Sequence, residues 1–135
     1  RHAGDRSLRV SRGLLDTSVV IAVARGEQVE LPEESAISII TLCGLHHGVL
    51  VADDRTRPGR LATLAMVERS FEPLPVDSRV APHYGALIAR AREGKGGRPR
   101  TADALIAAAA LSHGLPLYSR DRDLERLAVP GLVLV

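Results

Sequence analysis

The sequence predicts an α/β domain with a short parallel sheet flanked by helices in three layers, and three observations carry the prediction. Short apolar runs rich in β-branched residues alternate with helical stretches, the pattern of βα units. The chain has 135 residues, 45% of them apolar and 25% charged, which is material for one core and no more. No internal repeat or long linker divides it, so one domain is read over residues 12–135, with 1–11 set outside it as an N-terminal extension.

Each element has its own reason. Leu14-Leu15 is apolar and stops at Asp16, which reads as a buried strand with a helix following to about Ala24. Ala36 to Ile40 is a second short β-branched run, and Leu42, Leu45 and Val49 then recur at helical spacing through Ala52. A charged break at Asp53 to Pro58 precedes a helix marked by Leu61, Leu64, Ala65 and Glu68 and ending near Phe71. Leu74 and Val76 between prolines read as an edge strand or an extended link. Asp77-Ser78 can cap a helix to about Glu93, with Tyr84, Leu87, Ile88 and Ala91 on one face, and Gly94 to Gly97 ends it. Thr101 is taken as the cap of the strongest helix, Ala102 to His113, stopped by Gly114. Leu115 to Tyr118, Asp121 to Leu127 and Leu132 to Val135 complete the pattern as strand, short helix and strand.

Composition narrows the function classes. Phe71, Tyr84 and Tyr118 are the only aromatics, which argues against single-strand binders that stack bases on aromatic platforms. Of 18 basic residues only Lys95 is a lysine, leaving 17 arginines at a net charge of +2. Codon bias in a GC-rich genome explains such a bias, and so does a surface that grips phosphate. The single Cys43 excludes an intramolecular disulfide and a cysteine-based zinc site, and points to a reducing, cytoplasmic setting. No apolar run is long enough to span a membrane, and residues 1–12 are too charged for a signal peptide.

Parallel sheets bind ligands outside the carboxyl ends of their strands. Asp16, Asp103 and Asp121 fall where a strand gives way to a helix or in a helix's first turn, so the topology gathers them at one edge. Each also suits a helix N-terminus as a cap or first-turn acid. Together they form a set of hard oxygen ligands for Mg²⁺ or Mn²⁺, ions that activate water and stabilise displacement at phosphorus.

Four segments extend this reading. Leu14-Leu15-Asp16-Thr17-Ser18, Ser38-Ile39-Ile40-Thr41-Leu42, Thr101-Ala102-Asp103-Ala104-Leu105 with the alanines after it, and Leu117-Tyr118-Ser119-Arg120-Asp121 together resemble a PIN domain. The chain looks most like the VapC-type ribonuclease toxins of bacterial VapBC toxin–antitoxin modules. The resemblance spans nearly the whole chain, in order and spacing. It implies a Mg²⁺- or Mn²⁺-dependent endoribonuclease acting on RNA, a homodimer, and a VapB-type antitoxin that blocks the site. It assigns Asp16, Asp103 and Asp121 as metal ligands and Ser119 as the small hydroxyl residue beside them; Asp123 has no firm family role.

One expected acid is missing. The family's second motif resembles Thr-x-x-Glu-Leu, and the same frame here reads Thr41-Leu42-Cys43-Gly44-Leu45. Glycine in a helix interior costs about 0.5–1 kcal/mol relative to alanine, so Gly44 suits neither the family chemistry nor the helix. Two explanations stand: an introduced, inactivating substitution, or a natural variant with weakened metal binding.

His46 and His47 are adjacent, and neighbouring helical residues point roughly 100° apart, so the two cannot face one metal. Gly94-Lys95-Gly96-Gly97 lacks the flanking signature of a phosphate loop. Arg98, Arg100, Arg120 and Arg122 lie beside the acids in sequence, where they either guide RNA phosphates, pair with the acids, or meet an acidic antitoxin. Alternatives to the nuclease are a degenerate, non-catalytic PIN domain that only binds antitoxin or RNA, and a different phosphoryl-transfer enzyme on a doubly wound sheet.

Overall fold

A computed structural model describes residues 10–94 and 97–135. Its elements run β1 (Arg12–Leu15), α1 (Thr17–Ala24), β2 (Glu34–Ile37), α2 (Ile39–Val51), α3 (Arg57–Ser70), α4 (Val80–Glu93), α5 (Thr101–Ser112), β3 (Leu117–Ser119), a 3₁₀ helix (Arg122–Leu127) and β4 (Leu132–Leu134). Lys95 and Gly96 of the expected Gly94–Gly97 turn, and residues 1–9 of the extension, lie outside the described residues.

The four strands form one sheet in the order β2–β1–β3–β4, every pair parallel. β1 is central, with Leu14 opposite Ala36 on one side and Leu117 on the other. Successive strand residues point to opposite faces, and the core divides accordingly. Leu14 and Leu117 pack with Val80 and Leu87 of α4 and Ile106 to Ala110 of α5. Leu15 packs on the other face with Val19 and Val20 of α1, Val67 of α3 and the Tyr118 ring. The result is three layers, α4–α5, sheet, and α1–α2–α3. Ala107, Ala108 and Ala109 of α5 are fully buried, and small side chains on all sides let this central helix sit close to its neighbours.

The aromatic Tyr118 places a demand on β1. A Cβ built on Gly13 would stand 2.5 and 2.6 Å from its ring carbons, so glycine there is required by packing. α2 begins two residues earlier than Thr41, because the buried Ser38 accepts a hydrogen bond from the Ile40 amide (3.1 Å) and caps the helix directly at the end of β2.

The charged break from Asp53 to Pro58 is a built elbow. Asp53 Oδ1 accepts from the amides of Arg55 (3.1 Å) and Thr56 (2.9 Å) and from the Thr56 hydroxyl (2.9 Å). The Thr56 amide first, and then its hydroxyl, hold the Asp53 carboxyl below the ordinary aspartate value. Arg57 donates back to the carbonyls of Val49 (3.3 Å) and Ala52 at the end of α2. The segment around Leu74 makes a single parallel bridge to Ser38 rather than a strand. Thr101 is a correction: the extended capping position belongs to Arg100, no side chain caps α5, and Thr101 is the first helical residue. Gly114 follows α5 at φ +64°, the left-handed conformation that ends a helix.

Candidate active site

Asp16 sits where β1 ends, its amide still donating to the Tyr118 carbonyl of β3 (3.0 Å). It is buried, 5% exposed, and it caps α1 through the Val19 amide (3.3 Å to Oδ1). Oδ1 also accepts from the Ser18 hydroxyl (2.5 Å) and Oδ2 from the Ser119 hydroxyl (2.6 Å). A carboxylate offers about four lone-pair sites, so these three donors fix its orientation and leave room for a cation.

Ser119, fully buried at the end of β3, accepts in turn from the Asp121 amide (2.9 Å). Asp121 is half-buried and caps the 3₁₀ helix by accepting from the Asp123 amide (2.9 Å). Asp103 occupies the first turn of α5 and is half-buried. Its carboxyl is pushed above the ordinary aspartate range, first by burial and then by the negative charge of Asp121, with Asp16 and Asp123 adding to the effect and Arg100 opposing it. The three aspartates named from the sequence therefore share one electrostatic neighbourhood at the carboxyl edge of the sheet. Asp123 is exposed, and its effect on Asp103 is the weakest of these.

The donor chemistry fits a hard divalent cation: carboxylate oxygens of like charge, with Arg100 the one cation acting against the shift at Asp103. Among the described residues no three acidic, histidine or cysteine side chains close on one point as a finished cage.

α2 supplies the neighbouring wall. Its first turn is tied to α1 by the Thr17 and Thr41 hydroxyls, 3.1 Å apart, with Thr41 fully buried. Gly44, one turn on from Thr41, is exposed, and a Cβ there would meet nothing within 4 Å. Unlike Gly13, this glycine answers no packing requirement, and α2 runs unbroken through it. Gly44 borders a cavity of about 760 Å³ that opens between α1, α2 and α3, lined by Thr17, Ile21, Leu45, Arg60 and Met66 among others. None of the three aspartates lines this cavity.

The four arginines have different surroundings. The Arg120 guanidinium is paired with Glu27 (2.7 Å), and Arg122 stands 3.8 Å from Glu125. Arg100 acts on Asp103, while Arg98 is exposed and has no ion-pair partner among the described residues. His46 faces Glu68 of α3 at 3.3 Å, and His47 is exposed.

Comparison with known proteins bears on the whole arrangement. The PIN domain family profile matches residues 13–130. Ribonuclease VapC5 of Mycobacterium tuberculosis is 40% identical over 119 residues, covering 85% of this chain and 87% of the relative. Ribonuclease VapC8 of the same species is 41% identical over 104 residues, 75% of this chain and 92% of the relative. Among solved structures, VapBC-5 of M. tuberculosis, a member of the VapBC family of toxin–antitoxin systems, superposes with a TM-score of 0.79 at 36% identity, covering 93% of this chain and 99% of that one.

Proposed function

Since this chain belongs to the PIN-domain family, we propose that it is a VapC-type toxin of a toxin–antitoxin pair, a Mg²⁺- or Mn²⁺-dependent endoribonuclease whose activity is weakened by Gly44. The observation that carries the proposal is the junction at the carboxyl edge of a parallel sheet, where the buried Ser119 donates to Asp16 and accepts from the Asp121 amide, within a chain that matches the PIN family over residues 13–130.

In this reading Asp16, Asp103 and Asp121 hold the cation. A divalent ion held there would supply water activation and charge neutralisation for phosphodiester hydrolysis. The chain's own residues do the positioning. Ser119 fixes Asp16 and, through the Asp121 amide, sets the start of the 3₁₀ helix. Burial and its acidic neighbours make Asp103 hold a proton to higher pH than a free aspartate, so proton release and ligand binding are coupled at that residue. Arg98, Arg100, Arg120 and Arg122 guide RNA phosphates toward the edge, Arg120 from a pairing with Glu27 and Arg122 from an exposed position 3.8 Å from Glu125.

The partner is a VapB-type antitoxin, in keeping with the toxin–antitoxin complexes among the structural relatives. Its amphipathic segment is placed in the apolar cavity between α1, α2 and α3. The working form is a homodimer, in the cytoplasm; among the described residues no helix is long and apolar enough to cross a membrane.

Gly44 favours a second reading, a PIN domain that binds without cutting. The space at its Cβ position is open and the residue is exposed, so a glutamate can be introduced there with no clash at its Cβ. Gly44→Glu is expected to raise Mg²⁺-dependent RNA cleavage at least tenfold and to tighten Mn²⁺ binding by calorimetry. A revertant no more active than the chain as it stands, with unchanged metal affinity, removes the inactivation hypothesis. Cleavage that survives EDTA removes the metal-dependent mechanism.

A further inference from the structure

The geometry points to Ser18 as a positioning residue that sets the spacing between the chain segments carrying Asp16 and Asp121, and through it the affinity of the site for a divalent cation. The metal half of this inference rests on the functional reading above; the spacing half rests on hydrogen bonds alone.

Ser18 and Ser119 form two matching relays across Asp16. Each hydroxyl donates to a different oxygen of the Asp16 carboxylate, Ser18 to Oδ1 at 2.5 Å and Ser119 to Oδ2 at 2.6 Å. Each also accepts a backbone amide from the turn after β3: Arg120 N–H to Ser18 at 3.1 Å, and Asp121 N–H to Ser119 at 2.9 Å. Two consecutive amides are therefore clasped to the two oxygens of one carboxylate, over a sequence separation of 102 residues between Ser18 and Arg120.

The relays differ in what else holds them. Ser119 is anchored by the sheet, where its carbonyl accepts from the Val135 amide (2.9 Å). Ser18 is held by neither strand, and it joins the first turn of α1 directly to the turn that leads into Asp121. The Arg120 side chain is turned aside to Glu27 (2.7 Å), so what this residue presents to the site is its amide. Without the Ser18 hydroxyl that amide loses its partner, and Asp16 Oδ1 keeps only the long 3.3 Å bond from Val19, so the carboxylate is held firmly by Ser119 at Oδ2 and only loosely at Oδ1.

The test uses Ser18→Ala and Ser18→Thr in the full chain. Amide hydrogen exchange is followed by NMR on the metal-free protein, and Mn²⁺ affinity by calorimetry. In Ser18→Ala the Arg120 amide is expected to exchange at least tenfold faster while the Leu117 amide is unchanged, and Mn²⁺ is expected to bind about tenfold more weakly. Ser18→Thr, which keeps the hydroxyl, restores both. Unchanged Arg120 exchange in Ser18→Ala overturns the clasp. Faster exchange with unchanged Mn²⁺ affinity overturns the link to the metal. If the wild-type chain binds no Mn²⁺ the metal reading itself falls, and Arg120 exchange alone then decides the role of Ser18.

Discussion

The carboxyl edge around Asp16 and the α2 wall around Gly44 both begin at α1, since Thr17 follows Asp16 and bonds across to Thr41, yet the two regions are built in opposite ways. At the edge every buried polar atom is partnered: Asp16 takes three donors, and two serines each bridge two groups. On the wall Gly44 and Gly48 carry no side chain, a Cβ at Gly44 would touch nothing, and the space beside them is a cavity of about 760 Å³. A small domain keeps an acidic cluster in place only by saturating it with hydrogen bonds, because unpaired buried carboxylates are costly. It can leave an adjoining wall open because apolar surface and exposed backbone impose no such debt. The edge is thus predicted to resist substitution and the wall to accept it.

The pair Gly13 and Gly44 gives that contrast its largest expected effect. Gly13→Ala drives a methyl into the Tyr118 ring and should destabilise the protein by about 1–3 kcal/mol in denaturant unfolding. A loss under 0.5 kcal/mol would show that the ring moves aside freely and that the edge is less rigid than its hydrogen bonds imply. Gly44→Ala on the wall should act with the opposite sign, stabilising by about 0.5–1 kcal/mol through helix propensity alone. Destabilisation there would mean that the open wall is used by the native fold after all.

The smallest effect concerns Asp103 in the metal-free protein. Its folded pKa is raised, chiefly by burial, above the unfolded value. Its contribution to stability is therefore fully present below the ordinary aspartate pKa and is lost as pH rises through the raised folded value. Asp103→Asn should match the parent in Tm at low pH and exceed it by about a degree or two at neutral pH. An equal gain at both pH values would attribute the effect to packing rather than to charge.

The parts of this architecture that are local in sequence are legible there. Leu14-Leu15 ending at Asp16, the alanine helix ending at Gly114, and the acids at equivalent points of successive βα units follow from periodicity and capping chemistry. What the sequence conceals is long-range. Nothing near Ser18 announces a bond to the amide of Arg120, and nothing near Arg120 announces Glu27, 93 positions away. Asp123 reads as a solvated helix residue and is exposed in the 3₁₀ helix, and only its weak electrostatic effect on Asp103 goes beyond that reading. Thr101 misleads for a local reason: hydroxyl residues are good caps, but the backbone enters α5 one residue earlier, at Arg100. The elbow at Asp53 is intermediate, since its turn chemistry is readable while the grip of Arg57 on the end of α2 is not.

The bond between Asp16 and Ser119 spans 103 residues, and Ser119 is itself held by Val135 at the end of the last strand. Loop closure of that length comes late in folding, after local helices have formed. During synthesis, then, Asp16 emerges among the first residues of the domain and waits for nearly the whole remainder of the chain before its partners exist. A nascent chain that stops short of β3 has no assembled acidic edge. Whatever chemistry the site performs is withheld until the last strands of the domain have been made.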